Sequence, residues 1–206
     1  YQVNTVGARN LAVQAQAIGA KLIHLSTDDV FSHHARQPYN EFEIPTPSTI
    51  YGKSKLAGER FVQNLCTRHV IVRSSWVYGI GRDFVNTILE AANNPSVTSM
   101  EVAENEFASP TSATELAKVI EQLIDNDCLG IYHAVCGGFC SRFEFAQAIL
   151  KAIHAKDKLT LKPISDSETI NYSVLDNMML RLENFTQPIS WQQALKDYIR
   201  TTGGNN

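Results

Sequence analysis

The chain has 206 residues, 44% hydrophobic and 19% charged, with a formal net charge of −3. That is enough for one compact domain or one and a half small ones, and a mildly acidic balance without a Lys/Arg cluster argues against gripping nucleic acid or an anionic membrane. No apolar run approaches the roughly 20 residues of a membrane span, and no charged-then-apolar leader opens the chain, so a cytoplasmic location is the default expectation.

The elements follow in order. Asn4 to Ala20 carries Val6, Leu11, Ala12, Val13, Ala15 and Ile18 at helical spacing, and residues 21–25 read as a buried strand. Residues 28–48 are polar and broken by Pro38, Pro45 and Pro47, a long loop of the kind that usually serves function. A helix from about Ser48 to Cys66 leads into an apolar strand at His69–Ser75. Helices are then expected near 84–92, 112–125, 141–153 and 191–200, with strands near 97–102, 131–135 and 159–164. Such alternation predicts an α/β fold with a mostly parallel sheet covered on both faces, whose ligands bind at the carboxyl ends of the strands. Cys66, Cys128, Cys136 and Cys140 form no Cys-x-x-Cys pair, so reduced thiols and no metal site are expected.

Two such strand ends fall at Ser26-Thr27 and Ser74-Ser75-Trp76, and Tyr51 and Lys55 share one helix face four residues apart. A phenol with its ordinary pKa of about 10 exchanges protons near neutrality only if its phenolate is stabilised, and a neighbouring ammonium is one way to do so.

In order along the chain stand Leu25-Ser26-Thr27-Asp28-Asp29-Val30-Phe31, Tyr39-Asn40-Glu41 with Pro45 and Pro47, Tyr51-Gly52-Lys53-Ser54-Lys55 with Gly58-Glu59, and Arg73-Ser74-Ser75-Trp76-Val77-Tyr78-Gly79. Ser109-Pro110-Thr111, then Gly130-Ile131-Tyr132-His133 and Ser141 with Phe143-Glu144-Phe145-Ala146, complete the set. This series resembles the dTDP-4-dehydrorhamnose reductase family of extended short-chain dehydrogenases/reductases. The resemblance implies reduction of a nucleotide-activated 4-keto sugar by NAD(P)H. Tyr51 would then be the proton donor, Lys55 the cation that lowers its pKa and binds the nicotinamide ribose, and Thr27 a second donor to the keto oxygen. Asn4 would organise a proton-relay water. Ser26, Ser74 and Ser75, with the backbone of Val77, would lie near the cofactor, and Trp76 and Pro110 against the substrate. The same resemblance implies an incomplete NAD(P)-binding Rossmann-like parallel sheet with a smaller α/β substrate-binding region. Residues 1–80 would be the carboxyl half of the nucleotide-binding domain, and residues 81–206 mainly substrate-binding with elements returning to the sheet. A homodimer is left open.

Each residue has a plainer reading. Thr27 could cap the turn after its strand, Asn4 could be a helix N-cap, Trp76 core packing, and Ser109-Pro110-Thr111 a helix start. His33-His34 reads as solvated, and Arg36 as meeting water or a phosphate. There are also departures from the family pattern: Asp29 in place of an aromatic phenol, Asp83 in place of Asn, Asn105-Glu106 in place of Asp-Gln, and Asn171-Tyr172 in place of Arg-Pro. Acid where a nucleotide diphosphate should lie is unfavourable, so the reductase chemistry is better supported than the dTDP-sugar identity. The chain opens Tyr1-Gln2-Val3-Asn4, without an initiator Met or the family's glycine-rich pyrophosphate turn. It is therefore expected to be a fragment of a longer protein that binds NAD(P) poorly by itself. The alternatives are a non-catalytic relative resembling the regulatory subunit of methionine adenosyltransferase, and an epimerase or dehydratase of the extended group, the latter kept open by Asp28-Asp29.

Overall fold

A computed structural model describes residues 1–165 and 170–202. The chain opens with a π-helical stretch, Gln2–Gly7, that continues as α1 (Ala8–Ala17), followed by β1 (Leu22–Thr27), a 3-10 turn at Asp28–Val30, α2 (Ile50–Leu65) and β2 (His69–Ser74). Then come β3 (Val77–Tyr78), α3 (Phe84–Asn93), β4 (Ser99–Ala103), β5 (Glu106–Ala108), β6 (Thr111–Ser112), α4 (Ala113–Asp125) and β7 (Gly130–His133). The remainder is β8 (Cys140–Ser141), α5 (Arg142–Ala152), β9 (Thr160–Ile164), β10 (Asn171–Tyr172), α6 (Met178–Leu182) and α7 (Trp191–Thr202). The expected long helices and strands are all present. What the periodicity did not reveal are β3, β5, β6, β8, β10 and α6, pieces too short to display a period. No helix of the described residues is long and apolar enough to cross a membrane.

The main sheet has the order β1-β2-β7 and is parallel throughout, with Ile71 of β2 opposite His24 of β1 and Ile131 of β7. Alternation along β2 divides the core between the two faces. Ile71 packs with Ala8, Ala12, Ala15 and Val62 of α1 and α2. Val70 and Val72 pack with Leu116, Val119 and Leu123 of α4, and with Leu180 of α6. A second region gathers α3, α5 and α7 around Phe145, which meets the rings of Trp76, Tyr78, Phe84 and Trp191. Beside it runs the small sheet β10-β5-β8.

The polar loop after β1 is pinned rather than free. Phe31 and Tyr39 stack at 4.2 Å, and the buried carboxylate of Glu41 accepts from the backbone N–H of His133 at 2.9 Å and of Met179 at 3.1 Å. Two glycines set the seat of α2. A Cβ on Gly58 would stand 2.3 Å from the carbonyl oxygen of Asn4, and one on Gly52 would stand 1.9 Å from that of Asp29. Only glycine lets α2 lie this close to the first helix and to the turn after β1.

Candidate active site

The end of β1 is built around a buried carboxylate. Thr27 accepts from the Asp29 N–H at 3.2 Å, so it does cap the 3-10 turn, and it donates to Asp28 Oδ1 at 3.1 Å. Ser75, just past β2, donates to Asp28 Oδ2 at 2.7 Å. Burial pushes the Asp28 carboxyl up, while the Ser75 and Ser173 hydroxyls pull it down. Asp28 thus ties two neighbouring strand ends together, fixing the Thr27 hydroxyl where ligands of parallel sheets bind.

The α2 face brings up the second half. Thr49 caps the helix, accepting from Gly52 N–H at 2.9 Å, which places Tyr51 in the first turn. Tyr51 is half exposed and lines a cavity of about 470 Å³ together with Ser26, Thr27, Asp29, Ser74 and Trp76. One turn on, Lys55 donates to the Leu25 carbonyl at 2.6 Å. Another turn on, Glu59 holds Arg73 of β2 through two hydrogen bonds, Nε to Oε1 at 3.0 Å and Nη2 to Oε2 at 2.7 Å. Both of these side chains are buried.

The electrostatics of Tyr51 differ from expectation. Its hydroxyl is held above the ordinary phenol range, first by burial and then by the Asp29 carboxylate, with the Thr27 hydroxyl pulling it down and Asp28 adding to the rise. Lys55 does not set it in this structure, because the ammonium is turned to the Leu25 carbonyl and is itself lowered by burial, with Glu59 opposing.

Several expected residues take other places. Asn4 is no N-cap: it lies within the π-helical stretch, and its Nδ2 donates to Ser54 Oγ at 3.0 Å, whose own hydroxyl donates to the Tyr51 carbonyl at 2.8 Å. It thereby acts on the backbone of the tyrosine turn from outside the cavity. Ser75 is buried beneath the strand ends, bonded to Asp28, and does not line the cavity. Pro110 is buried away from it as well, between Ser109, which donates to the Gly138 carbonyl at 2.8 Å, and Thr111, which donates to the Ser109 carbonyl at 3.0 Å. Trp76 lines the cavity while its ring also packs on Phe145, and its φ of 41° is a left-handed, strained backbone for a large residue.

Two expectations are corrected. His33 is not solvated: its side chain is 12% exposed, its Nε2 lies 3.2 Å from Asp29 Oδ1, and it lines the cavity. Burial alone would lower that imidazole, but Asp29 and Asp28 together outweigh it and the net shift is upward. Asp83 is not an acid in the site either. It caps α3, accepting from the N–H of Asn86 and of Gly79, each at 2.9 Å.

Glu106, Phe107, Arg142, Asn171 and Ser173 complete the cavity wall and were not singled out as a group. They come from β5, from β10 and the residue after it, and from the start of α5, so only the small sheet brings them together. A signal was present for one of them: Arg142 follows the helix N-cap Ser141, where the first turn favours an acid rather than a cation. Among the described residues, no group of three or more His, Cys, Asp or Glu side chains is placed to hold a metal ion.

Comparison with known proteins agrees with this architecture. The spore coat polysaccharide biosynthesis protein SpsK of Bacillus subtilis is 35% identical over 97% of this chain and 71% of its own length. The dTDP-4-dehydrorhamnose reductase of Mycolicibacterium smegmatis is 34% identical over 99% of this chain and 64% of its own length. Among solved structures, the dTDP-4-dehydrorhamnose reductase of Bacillus anthracis, crystallised in complex with NADP, superimposes with a TM-score of 0.91 at 37% identity, covering 97% of this chain and 72% of that one. A dTDP-glucose 4,6-dehydratase from the same organism shares the fold at a TM-score of 0.84 with 16% identity. The chain thus spans between 64% and 72% of the length of the reductases compared here. With the RmlD substrate binding domain profile matching residues 1–203, the chain belongs to that family.

Proposed function

We propose that this chain carries the proton-donating and substrate-holding side of an NAD(P)H-dependent reductase of a nucleotide-activated 4-keto sugar of the dTDP-4-dehydrorhamnose type. The observation that carries the reading is the meeting of the Thr27 strand end and the Tyr51 helix turn on one cavity. The family's reductases and the NADP complex of the B. anthracis relative support it.

The residues fit a nicotinamide cofactor on one structural ground beyond the motif: the Ser26 hydroxyl is buried without a hydrogen-bond partner at the cavity edge. A buried orphan hydroxyl is costly unless something completes it. Ser26, Ser74 and the Val77 backbone would hold the ring side, and Lys55 the ribose side. Bound there, the reduced cofactor supplies hydride to the carbonyl carbon.

The chain's own part is the proton. As negative charge grows on the keto oxygen, Tyr51 gives up its phenolic proton to that oxygen, and Thr27 turns its single O–H from Asp28 Oδ1 to donate a hydrogen bond to it. Lys55 stands one turn from the phenolate that remains, and the Asn4–Ser54 contact fixes the backbone of the tyrosine turn.

Tyr51→Phe in the intact protein tests this. Turnover of a nucleotide 4-keto sugar should fall by about 10²–10⁴, the usual contribution of a general acid, while NAD(P)H affinity holds. Wild-type turnover by the variant would remove Tyr51 from the role. Product mass adds a check, since reduction adds two hydrogens and epimerisation or dehydration does not.

A further inference from the structure

Arg142 opens α5 on the cavity wall. Its guanidinium carbon lies 3.6 Å over the Trp76 ring and 4.9 Å over that of Phe84. Its acidic neighbour is Glu106, with Nε 3.6 Å from Oε2, and the two side chains are 24% and 40% exposed. The cation is therefore largely desolvated and held flat, while its carboxylate stands beyond good hydrogen-bond length.

Nothing in the local fold requires an arginine there. The end of α5 is already satisfied by a capping box, in which Ser141 accepts from Glu144 N–H at 3.0 Å and Glu144 accepts from Ser141 N–H at 2.7 Å. A cation in this first turn also opposes the positive end of the helix dipole, which an anion brought to it would relieve. The other basic side chain on the cavity wall, the His33 imidazole, is engaged with Asp29. Among the described residues Arg142 is the remaining basic side chain on that wall, and its planar fork matches the oxygens of a phosphate.

We propose that Arg142 is a specificity residue that receives the diphosphate of the nucleotide sugar, with Glu106 as the internal counter-anion exchanged for phosphate oxygens. This rests on the reading of the site given above and adds to it the group that selects an anionic ligand. Trp76 serves the guanidinium as a flat support as well as lining the cavity. Glu106, departing from the family's Gln, is then the partner of the arginine rather than an acid set against the ligand.

Titration calorimetry on the intact protein tests it, using thymidine diphosphate, uridine diphosphate and the matching nucleosides as probes. The diphosphates should bind the wild type at least about tenfold more tightly than the nucleosides, as expected for charge-assisted hydrogen bonds. Arg142→Met, which keeps an apolar cover on Trp76, should erase most of that margin and leave nucleoside affinity unchanged. Arg142→Lys should restore part of it, and Glu106→Gln should tighten diphosphate binding by removing the competing anion. Two results would overturn the assignment: no preference for either diphosphate over its nucleoside in the wild type, or an Arg142→Met variant that keeps the preference. If Arg142→Met does not fold, Glu106→Gln decides, since unchanged or weaker diphosphate binding would count against the exchange. Turnover is read separately. A protein that reduces no nucleotide keto sugar but shows Arg142-dependent diphosphate binding would sink the reductase reading and leave this assignment standing.

Discussion

Two arginines in this chain lie over an aromatic ring beside a glutamate, and they behave differently. Arg73 sits 5.2 Å over Phe31, grips Glu59 with bonds of 3.0 and 2.7 Å, and is buried with its partner. Arg142 sits 3.6 Å over Trp76, stands 3.6 Å from Glu106, and faces a cavity. The first pair is closed: its charges are spent on each other and join α2, with Tyr51 at its start, to β2. The second pair is open, with charge left for a ligand. Residue types alone do not distinguish a structural pair from a binding one; distance and access to solvent do.

The largest effect should come from opening the closed pair. Glu59→Ala leaves Arg73 buried without its counter-charge and should lower unfolding stability by about 3–5 kcal/mol in urea. Glu106→Ala, at a half-buried but loosely made pair 3.6 Å apart, should cost within about 1 kcal/mol. Equal losses would erase the distinction. Next comes the seat of α2. Gly52→Ala places a methyl 1.9 Å from the Asp29 carbonyl oxygen, a backbone atom. The helix start must shift, at about 1–3 kcal/mol as for other overpacked sites, and Tyr51 shifts with it, so turnover should fall further than stability explains. Turnover that merely tracks the folded fraction would count against that coupling.

The two histidines extend the comparison to pH. His133, in the closed region, is driven down to about 3 by burial first and then by the Arg73 charge. Its Nδ1 lies 3.1 Å from each of the Tyr39 and Asp176 carbonyls, so it is the protonated nitrogen of a neutral ring. Between the ordinary value near 6.5 and about 3, the unfolded chain binds a proton that the folded chain refuses. Stability should therefore fall as pH drops through that window, and His133→Asn should flatten the fall. His33, on the cavity, has the opposite sign. Its folded pKa is raised, so its contribution is full below the unfolded value and is lost as pH rises through the folded one. A urea midpoint followed from pH 8 to 4 in His133→Asn and in His33→Asn separates the two.

How much of this was legible depends on whether a residue's partner was close in sequence. Tyr51, Lys55 and Glu59 stand on one helix face at spacings of four, and the alternation of helices with apolar strands foretold β1, α2 and β2. Arg73 was read only as part of the motif that ends β2; a bare charge is not left in a core, but that Glu59 supplies its partner was visible only in the fold. His33 was misread because Asp29, four residues earlier, was treated as a missing phenol rather than as a carboxylate able to pair. Asp83 was misread because it was compared with a family position instead of with Asn86 three residues on, whose N–H it caps. Glu106 and Arg142 were illegible as a pair: Glu106 lies on the three-residue β5 and Arg142 at the start of α5, the two meet only through the pairing of β5 with β8, and two- or three-residue strands carry no pattern.

The smallest effect, and the one that most finely separates the open region from the closed, concerns Asp29 and the proton of Tyr51. Of the charged groups acting on the phenol, Asp29 has the largest influence after burial, and Asp28 acts in the same direction. Asp28 is not free to replace it, being buried and bonded to Thr27 and Ser75. Lys55 is engaged with the Leu25 carbonyl. Asp29→Asn keeps the backbone N–H that Thr27 accepts, so the turn should survive while the charge is lost. Removing a negative charge favours the phenolate, so the Tyr51 pKa should fall. On the proton-donor role proposed for Tyr51, reduction consumes that proton, and the alkaline limb of kcat/KM, which reports the free enzyme, should move to lower pH. His33 loses its raising partner in the same variant, so any limb that it governs moves down as well. An alkaline limb that stays in place, or moves upward, would show that the proton lost there is not the one on Tyr51.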